Sequence, residues 1–260
     1  MIKLNRATRP SFLTEQVTKE LTLTFKTTGK SVWNDERLKV PLRLSSYGKC
    51  AYCECSIVEE SKYMEVEHFK DKHSYPEDVI QWDNLLPSCK RCNGTKGIHD
   101  VIDTPIINPY LDLPRDHIYY RDYRLKGITE KGIDTIEAIG LNNYERIAIK
   151  RFEIGYAILE SITHCEDKIK EYEATRKTRT LNKISRFMEG ILNECQPSAI
   201  YAATTATIAL NSETFSKVVM HMKSIKAWSI ECEELLSIAK TIALPTALNS
   251  QSAPEITAQH

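Results

Sequence analysis

The chain's 260 residues balance 35 Lys and Arg against 35 Asp and Glu. Bulk charge therefore does not draw it to nucleic acid or to an anionic membrane, and any anion-binding surface must be a local patch. Hydrophobic residues make up 42%, ample for a buried core. No apolar run approaches the roughly eighteen residues needed to cross a bilayer. Met1-Ile2-Lys3-Leu4-Asn5-Arg6 has charge with no apolar stretch behind it, unlike a secretory signal, so the chain reads as a soluble cytoplasmic protein.

Residues 1–49 read as a polar arm followed by one short helix. Asn34 or Asp35 caps that helix, Leu38, Leu42 and Leu44 supply its apolar side, and Pro41 limits or kinks it. Within this stretch, residues 1–43 carry nine Lys or Arg against four acids, the composition of a solvated face or of a nucleic-acid contact. Residues 50–100 hold the chemistry: Cys50-Ala51-Tyr52-Cys53, Glu65-Val66-Glu67-His68, Trp82-Asp83-Asn84-Leu85-Leu86 and Cys89-Lys90-Arg91-Cys92-Asn93-Gly94-Thr95-Lys96. Tyr63–His68 has strand character, and the run from Cys89 to Lys96 opens a helix.

Residues 101–132 form an irregular connection. Pro105, Pro109 and Pro114 interrupt any helix, Ile118–Tyr123 reads as a strand, and Gly127 and Gly132 mark a turn and a helix boundary. From 133 to 244 apolar residues recur at three- and four-residue spacing, first from Leu141 to Ile162, then from Leu181 to Leu192. Ser198–Leu210 suits a tightly packed helix, and the one that starts near Phe215 is expected to run on to Lys240. Residues 245–260 read as a flexible tail. The fold class is α+β, mostly helical.

Eight cysteines in a chain without a secretory signal point to metal rather than disulfides. Two Cys-x-x-Cys knuckles, Cys50 with Cys53 and Cys89 with Cys92, supply the four soft ligands of a tetrahedral zinc. Cys55 competes with Cys53, but Cys50-x-x-Cys53 repeats the spacing of the second knuckle. Four thiolates leave no open coordination position, so this zinc is structural and catalysis must lie beside it. Cys165, Cys195 and Cys232 stand singly in helical sequence and read as small buried side chains.

The residues between the knuckles suit phosphodiester hydrolysis. A histidine supplies a base near neutral pH, a carboxylate and an amide oxygen hold Mg²⁺ or Mn²⁺, and a lysine offsets phosphate charge. Glu67, His68, Asn93 and Lys96 are such a set. Each alone has a plainer reading as a hydrogen-bonded or turn residue. Their order between two metal knuckles favours a site. His73 and His99 are rival histidines, and Lys90, Arg91 and Lys96 form the basic cluster most apt to meet phosphate.

Cys-x-x-Cys, Glu-His, Asn-Leu-Leu and Cys-x-x-Cys-Asn-x-x-Lys together resemble the zinc-stapled HNH endonuclease motif. That resemblance implies a ββα-metal core and a catalytic divalent ion. It makes His68 the general base, Asn84 the residue that orients it, and Glu67 and Asn93 the ligands of the ion, with Lys96 and Arg91 on phosphate. Glu67 stands where the family more often has Asp. Glu67-His68-Phe69-Lys70-Asp71-Lys72, Trp82–Cys89, the opening residues and Ile107-Asn108-Pro109-Tyr110 resemble a narrower branch. This is the PtuB nuclease family of Septu-type and retron-associated antiphage systems. The resemblance implies an ABC/SMC-like ATPase partner (PtuA-like), a nucleic-acid substrate with DNA favoured, and partner docking by residues 133–244. A non-catalytic zinc-stapled binding module, a stand-alone restriction-type nuclease and an RNA-cleaving effector are the alternatives.

Overall fold

The computed structural model describes residues 1–58 and 63–246. At its centre two antiparallel strands, β1 (Met64–His68) and β2 (Leu85–Cys89), run directly into a helix, α3 (Lys90–Lys96). The register sets Met64 opposite Cys89 and His68 opposite Leu85. Alternation along β1 sorts its side chains. Val66 joins a core with Leu13, Leu38, Val79, Trp82 and Leu85, while Glu65 and Glu67 meet α3.

Two helices precede this unit, α1 (Glu15–Thr28) and α2 (Glu36–Ser45), where the sequence suggests an arm and a single helix. Thr14 caps α1 by accepting from the Val17 amide, and Gly29 ends it at φ 69°. Its most buried residues are Thr18 and Thr22, and beside them Val17, Leu21 and Phe25 pack at four-residue spacing against the core that holds Val66 and Leu85. Asp35 caps α2, which continues through Pro41 and buries Leu38 and Leu42; Leu44 faces solvent instead. The first residues are not a loose arm either. Met1, Ile2 and Leu4 are buried, the Leu4 amide donates to the Pro109 carbonyl at 2.8 Å, and the Met1 ammonium meets buried Glu54 at 2.5 Å.

Beyond α3 the chain makes the short helix α4 (Pro114–His117) and a hairpin of β3 (Ile118–Arg121) and β4 (Arg124–Gly127). The expected strand to Tyr123 stops two residues early. Asp122 and Tyr123 adopt φ of 50° and 60° and form the tight turn itself. The next helix, α5 (Glu130–Ile139), begins before Gly132, so that glycine lies inside the helix rather than at its boundary.

A π-helical turn at Tyr144–Ala148 leads into α6 (Ile149–Thr175), followed by α7 (Thr178–Asn193), α8 (Ala202–Leu210), α9 (Glu213–Ser224) and α10 (Ile230–Ile242). Helix α6 packs against α7, α8 and α9, and α10 closes on α7 and α8. The helix expected to run on to Lys240 breaks after Ser224: Lys226 turns at φ 60° and Ser229 caps α10 by accepting from the Cys232 amide. Cys165, Cys195 and Cys232 are buried in this helical core. Pro245, at the start of the expected flexible tail, is held by the Tyr120 amide at 2.7 Å; residues 247–260 of that tail lie outside the described residues. Among the described residues no helix is long and apolar enough to cross a membrane.

Two glycines in helices separate packing from propensity. A Cβ on Gly132 would lie 1.9 Å from the His117 carbonyl oxygen, whereas one on Gly190 in α7 meets nothing within 4 Å. Gly132→Ala is expected to destabilise by about 2–3 kcal/mol, and Gly190→Ala to stabilise by about 0.5–1 kcal/mol. Urea unfolding of the two variants checks both signs.

Candidate active site

The sulfurs of Cys50, Cys53, Cys89 and Cys92 all lie within 4.8 Å of one another. Cys53 Sγ and Cys89 Sγ are 3.8 Å apart. A tetrahedral metal with bonds of about 2.3 Å sets its sulfurs about 3.8 Å apart, so the donors fit such an ion. Cys55 is not among the four. Neighbouring groups support thiolates here. The Cys92 amide points at Cys89 Sγ, and Arg91 Nη2 donates to Cys92 Sγ at 3.0 Å. Hydrogen bonds among the sulfurs, Cys50 foremost, hold the Cys89 thiol well below its ordinary pKa and push those of Cys53 and Cys92 well above it, so the four share protons among themselves in the absence of an ion. Because Cys89 ends β2 and also caps α3, whatever binds the cluster fixes the angle at which α3 leaves the hairpin.

His68 ends β1 on the face away from α3 and is only 5% exposed. Its ring stands edge-on to Trp33, with centroids 4.6 Å apart, and its Nε2 lies 2.9 Å from the Val79 carbonyl. A carbonyl can only accept, so Nε2 carries the proton and Nδ1 of the neutral ring is left as a base. Burial, reinforced by the Lys72 charge, lowers the His68 pKa to about 4.

The loop that supplies the Val79 carbonyl is tied down by Asn84. Asn84 Oδ1 accepts from the Lys70 amide at 2.7 Å, and its Nδ2 donates to the carbonyls of Lys70 and Asp78. One buried amide thus locks both ends of the loop from Lys70 to Asp78, next to the residue that orients His68.

Glu67 lies on the opposite face of β1 from His68 and is 2% exposed. Burial pushes its carboxyl up to about 7, against the pull of Lys96. Lys96 Nζ is 2.8 Å from Glu67 Oε1 and donates to the His68 carbonyl at 2.9 Å. Among the described residues no donor other than Lys96 reaches the buried Glu67 Oε1. Lys96 is therefore enclosed against the end of β1 rather than turned to solvent. Arg91 is half-buried between the cysteine cluster and the Gly140 carbonyl.

Asn93 projects from α3 into a groove of about 310 Å³ lined also by Glu65, Asp71, Lys72, His73 and Lys90. Its Nδ2 donates to Glu65 Oε2 at 2.7 Å. Glu65 does not belong to the Glu-His pair that the sequence emphasises. Its signal was the two-residue period of a strand, which sets it on the same face as Glu67. His73, a rival histidine, lines this groove, while His99 bonds the Thr104 carbonyl and is not part of the groove's lining.

Glu65 and Asn93 meet in this groove and offer oxygen donors of the hard kind that suits a divalent cation such as Mg²⁺, while Glu67, on the same face of β1, is enclosed with Lys96 and is not part of the groove's lining. The structure thus brings Glu67, Asn93 and Lys96 to one face of β1, sets His68 on the other, and binds Asn84 to the loop between.

The His68 burial has a thermodynamic consequence. Its folded pKa lies below the unfolded value, so the unfolded chain takes up the proton first as pH falls. Stability from neutral His68 is full above about pH 6.5 and is lost towards pH 4. Glu67, shifted upward, works in the opposite sense. Comparing wild type with His68→Gln isolates the histidine: wild type should lose about 2–3 kcal/mol more between pH 6.5 and 4, read by urea unfolding across that range.

The HNH endonuclease family profile matches residues 50–98, the span that holds both knuckles, the hairpin and α3. The Septu protein PtuB of Bacillus thuringiensis is 42% identical over 243 residues, covering 92% of this chain and 94% of that protein. The Septu protein PtuB of Bacillus mycoides (strain KBAB4) is 29% identical over 190 residues, covering 56% of this chain and 64% of its own length. No solved structure matches the chain significantly. With the HNH span folded as strand, strand and helix around four clustered cysteines, the chain belongs to the Septu PtuB family and is an HNH nuclease, a hydrolase of phosphodiester bonds.

Proposed function

We propose that this protein is a metal-dependent HNH endonuclease that cuts nucleic acid, DNA in preference to RNA, as the effector of a bacterial antiphage complex with an ABC/SMC-like ATPase. The observation that carries the catalytic part is the state of His68. It is buried, neutral at physiological pH, and bonded through Nε2 so that Nδ1 remains a base. A structural histidine could be charged or bonded at both nitrogens without penalty to its role; a base needs one bare nitrogen.

In this reading His68 Nδ1 takes the proton from the attacking water. Asn84 holds the 70–78 loop and with it the Val79 carbonyl that fixes the ring. Glu67 and Asn93, with Glu65 beside them, are the residues that would hold a catalytic Mg²⁺ or Mn²⁺. When bound, that ion would supply positive charge to the scissile phosphate and its leaving oxygen. Lys96 supports Glu67 and the end of β1, leaving Lys72, His73 and Lys90 to meet phosphate from the groove wall. Zn²⁺ is the ion proposed for Cys50, Cys53, Cys89 and Cys92.

Kinship with PtuB supports the ATPase partner. Helices α6 to α10 contribute no residue to the groove beside α3, which suits a docking role for them.

His68→Ala is expected to abolish cleavage, by about 10²-fold or more, with zinc content and fold retained. The assay takes wild type and variant over plasmid, phage DNA and total RNA with Mg²⁺ or Mn²⁺, with and without the ATPase. Undiminished cutting by His68→Ala would remove it as the base. Binding without cutting by wild type, even with the partner present, would make the chain a binding module.

Elemental analysis of the purified protein should find one zinc per chain, and Cys53→Ser or Cys92→Ser should lose both the zinc and the cooperative unfolding transition. A wild-type protein free of metal yet fully folded would count against a structural ion.

A further inference from the structure

A second cleft, of about 710 Å³, opens on the far side of Glu65 and Lys90, both of which also line the groove beside α3. The two depressions therefore share a rim and form one continuous path along the outside of β1. One wall of the new cleft is the metal knuckle with Arg91. The other is the π-helical turn and first turns of α6, which present Arg146 and Lys150, with Ile154, Ile200 and Tyr201 forming an apolar floor. Tyr63, 77% exposed, stands at its edge.

Resting on the nuclease reading above, we propose that this cleft is a track for a single polynucleotide strand leading away from the scissile phosphate. Cations that follow a backbone, beside an exposed aromatic ring and apolar surface that accept base faces, are what single-stranded nucleic acid needs. The charges support this. Among the described residues lining the cleft, Glu65 accepts from Asn93, Glu153 and Lys150 offset one another at 2.5 Å, and Arg91 sits against Cys92 Sγ, which leaves Lys90 and Arg146 as the cations that face the cleft without a carboxylate partner. Arg146 is exposed, and its side chain makes no ion pair among the described residues. It projects from a π-helical turn, an irregularity that recurs at functional sites because it redirects side chains that a straight helix would aim elsewhere. Neither Arg146 nor Lys150 lines the groove beside α3, so their role is separable from catalysis.

The test uses the full chain. Binding of a fluorescein-labelled twelve-nucleotide single strand, as DNA and as RNA, is measured by anisotropy in the His68→Ala background over a salt series. The Arg146→Ala, Lys150→Ala double variant should bind about tenfold more weakly at low salt, and its slope of log affinity against log salt should fall by about 0.7 for each phosphate no longer neutralised. Tyr63→Ala should weaken binding about tenfold with the slope unchanged. Lys217→Ala, a lysine outside both clefts, should change neither. In the His68 parent sequence, hydrolysis of bis(p-nitrophenyl) phosphate, too small to enter the track, should be unaffected by the Arg146 and Lys150 changes. Equal affinity and slope in the double variant would overturn the track while leaving the nuclease reading standing. So would a parallel loss of the small-diester activity, because the residues would then be shaping the catalytic centre. If the His68→Ala parent binds no strand while the wild type cuts none, both readings fall.

Discussion

The rest of the site depends on the convergence of four sulfurs, two from a turn at Cys50–Cys53 and two from the junction of β2 and α3. A hairpin of two five-residue strands and a seven-residue helix has little apolar area of its own. Strands that short are marginal without something to hold them. A metal ion held by these four sulfurs would supply a directional constraint that a small core cannot, and it would act where β2 becomes α3. The position of Asn93 relative to Glu65 and Glu67 follows from that angle.

A second constraint comes from buried polar groups that must find partners. Asn84 satisfies both ends of the 70–78 loop, and Lys96 satisfies the end of β1 while facing Glu67. Such pairs are costly to break because each leaves a desolvated group behind. They add rigidity on the α3 side of β1, opposite the apolar core that takes Val66 and Leu85. The same logic holds farther away, where Glu54 draws in the Met1 ammonium and Lys49 and so pins the first residues against the metal knuckle.

Much of this was legible in the residues because it was encoded locally. Knuckle spacing, the order of Glu67, His68, Asn84 and Asn93, and the helical periodicity after Leu141 are all short-range patterns. What misled was also local in origin. Helix α1 was passed over although Val17, Leu21 and Phe25 recur at four-residue spacing beside its buried threonines, the strand after Ile118 was read through a turn made by Asp122 and Tyr123, and α9 was joined to α10 across Lys226. In the last two cases a positive φ at a residue not chosen for it overrode the local preference.

The sequence alone determined which chemical groups are present and in what order: four thiols fit for one ion, a histidine, carboxylates, amides and a neutral overall charge. It also determined the family. Tertiary structure decided which of those groups face one another. Adjacent strand residues point apart, so Glu67 and His68 fall on opposite faces of β1 although they are neighbours in the chain. Burial decided that Lys96 serves Glu67 instead of solvent, and the packing of the π-helical turn against the knuckle decided that Arg146 and Lys150 share a cleft with Lys90. Facing, burial and long-range proximity are properties of the folded chain, since each depends on residues far apart in sequence.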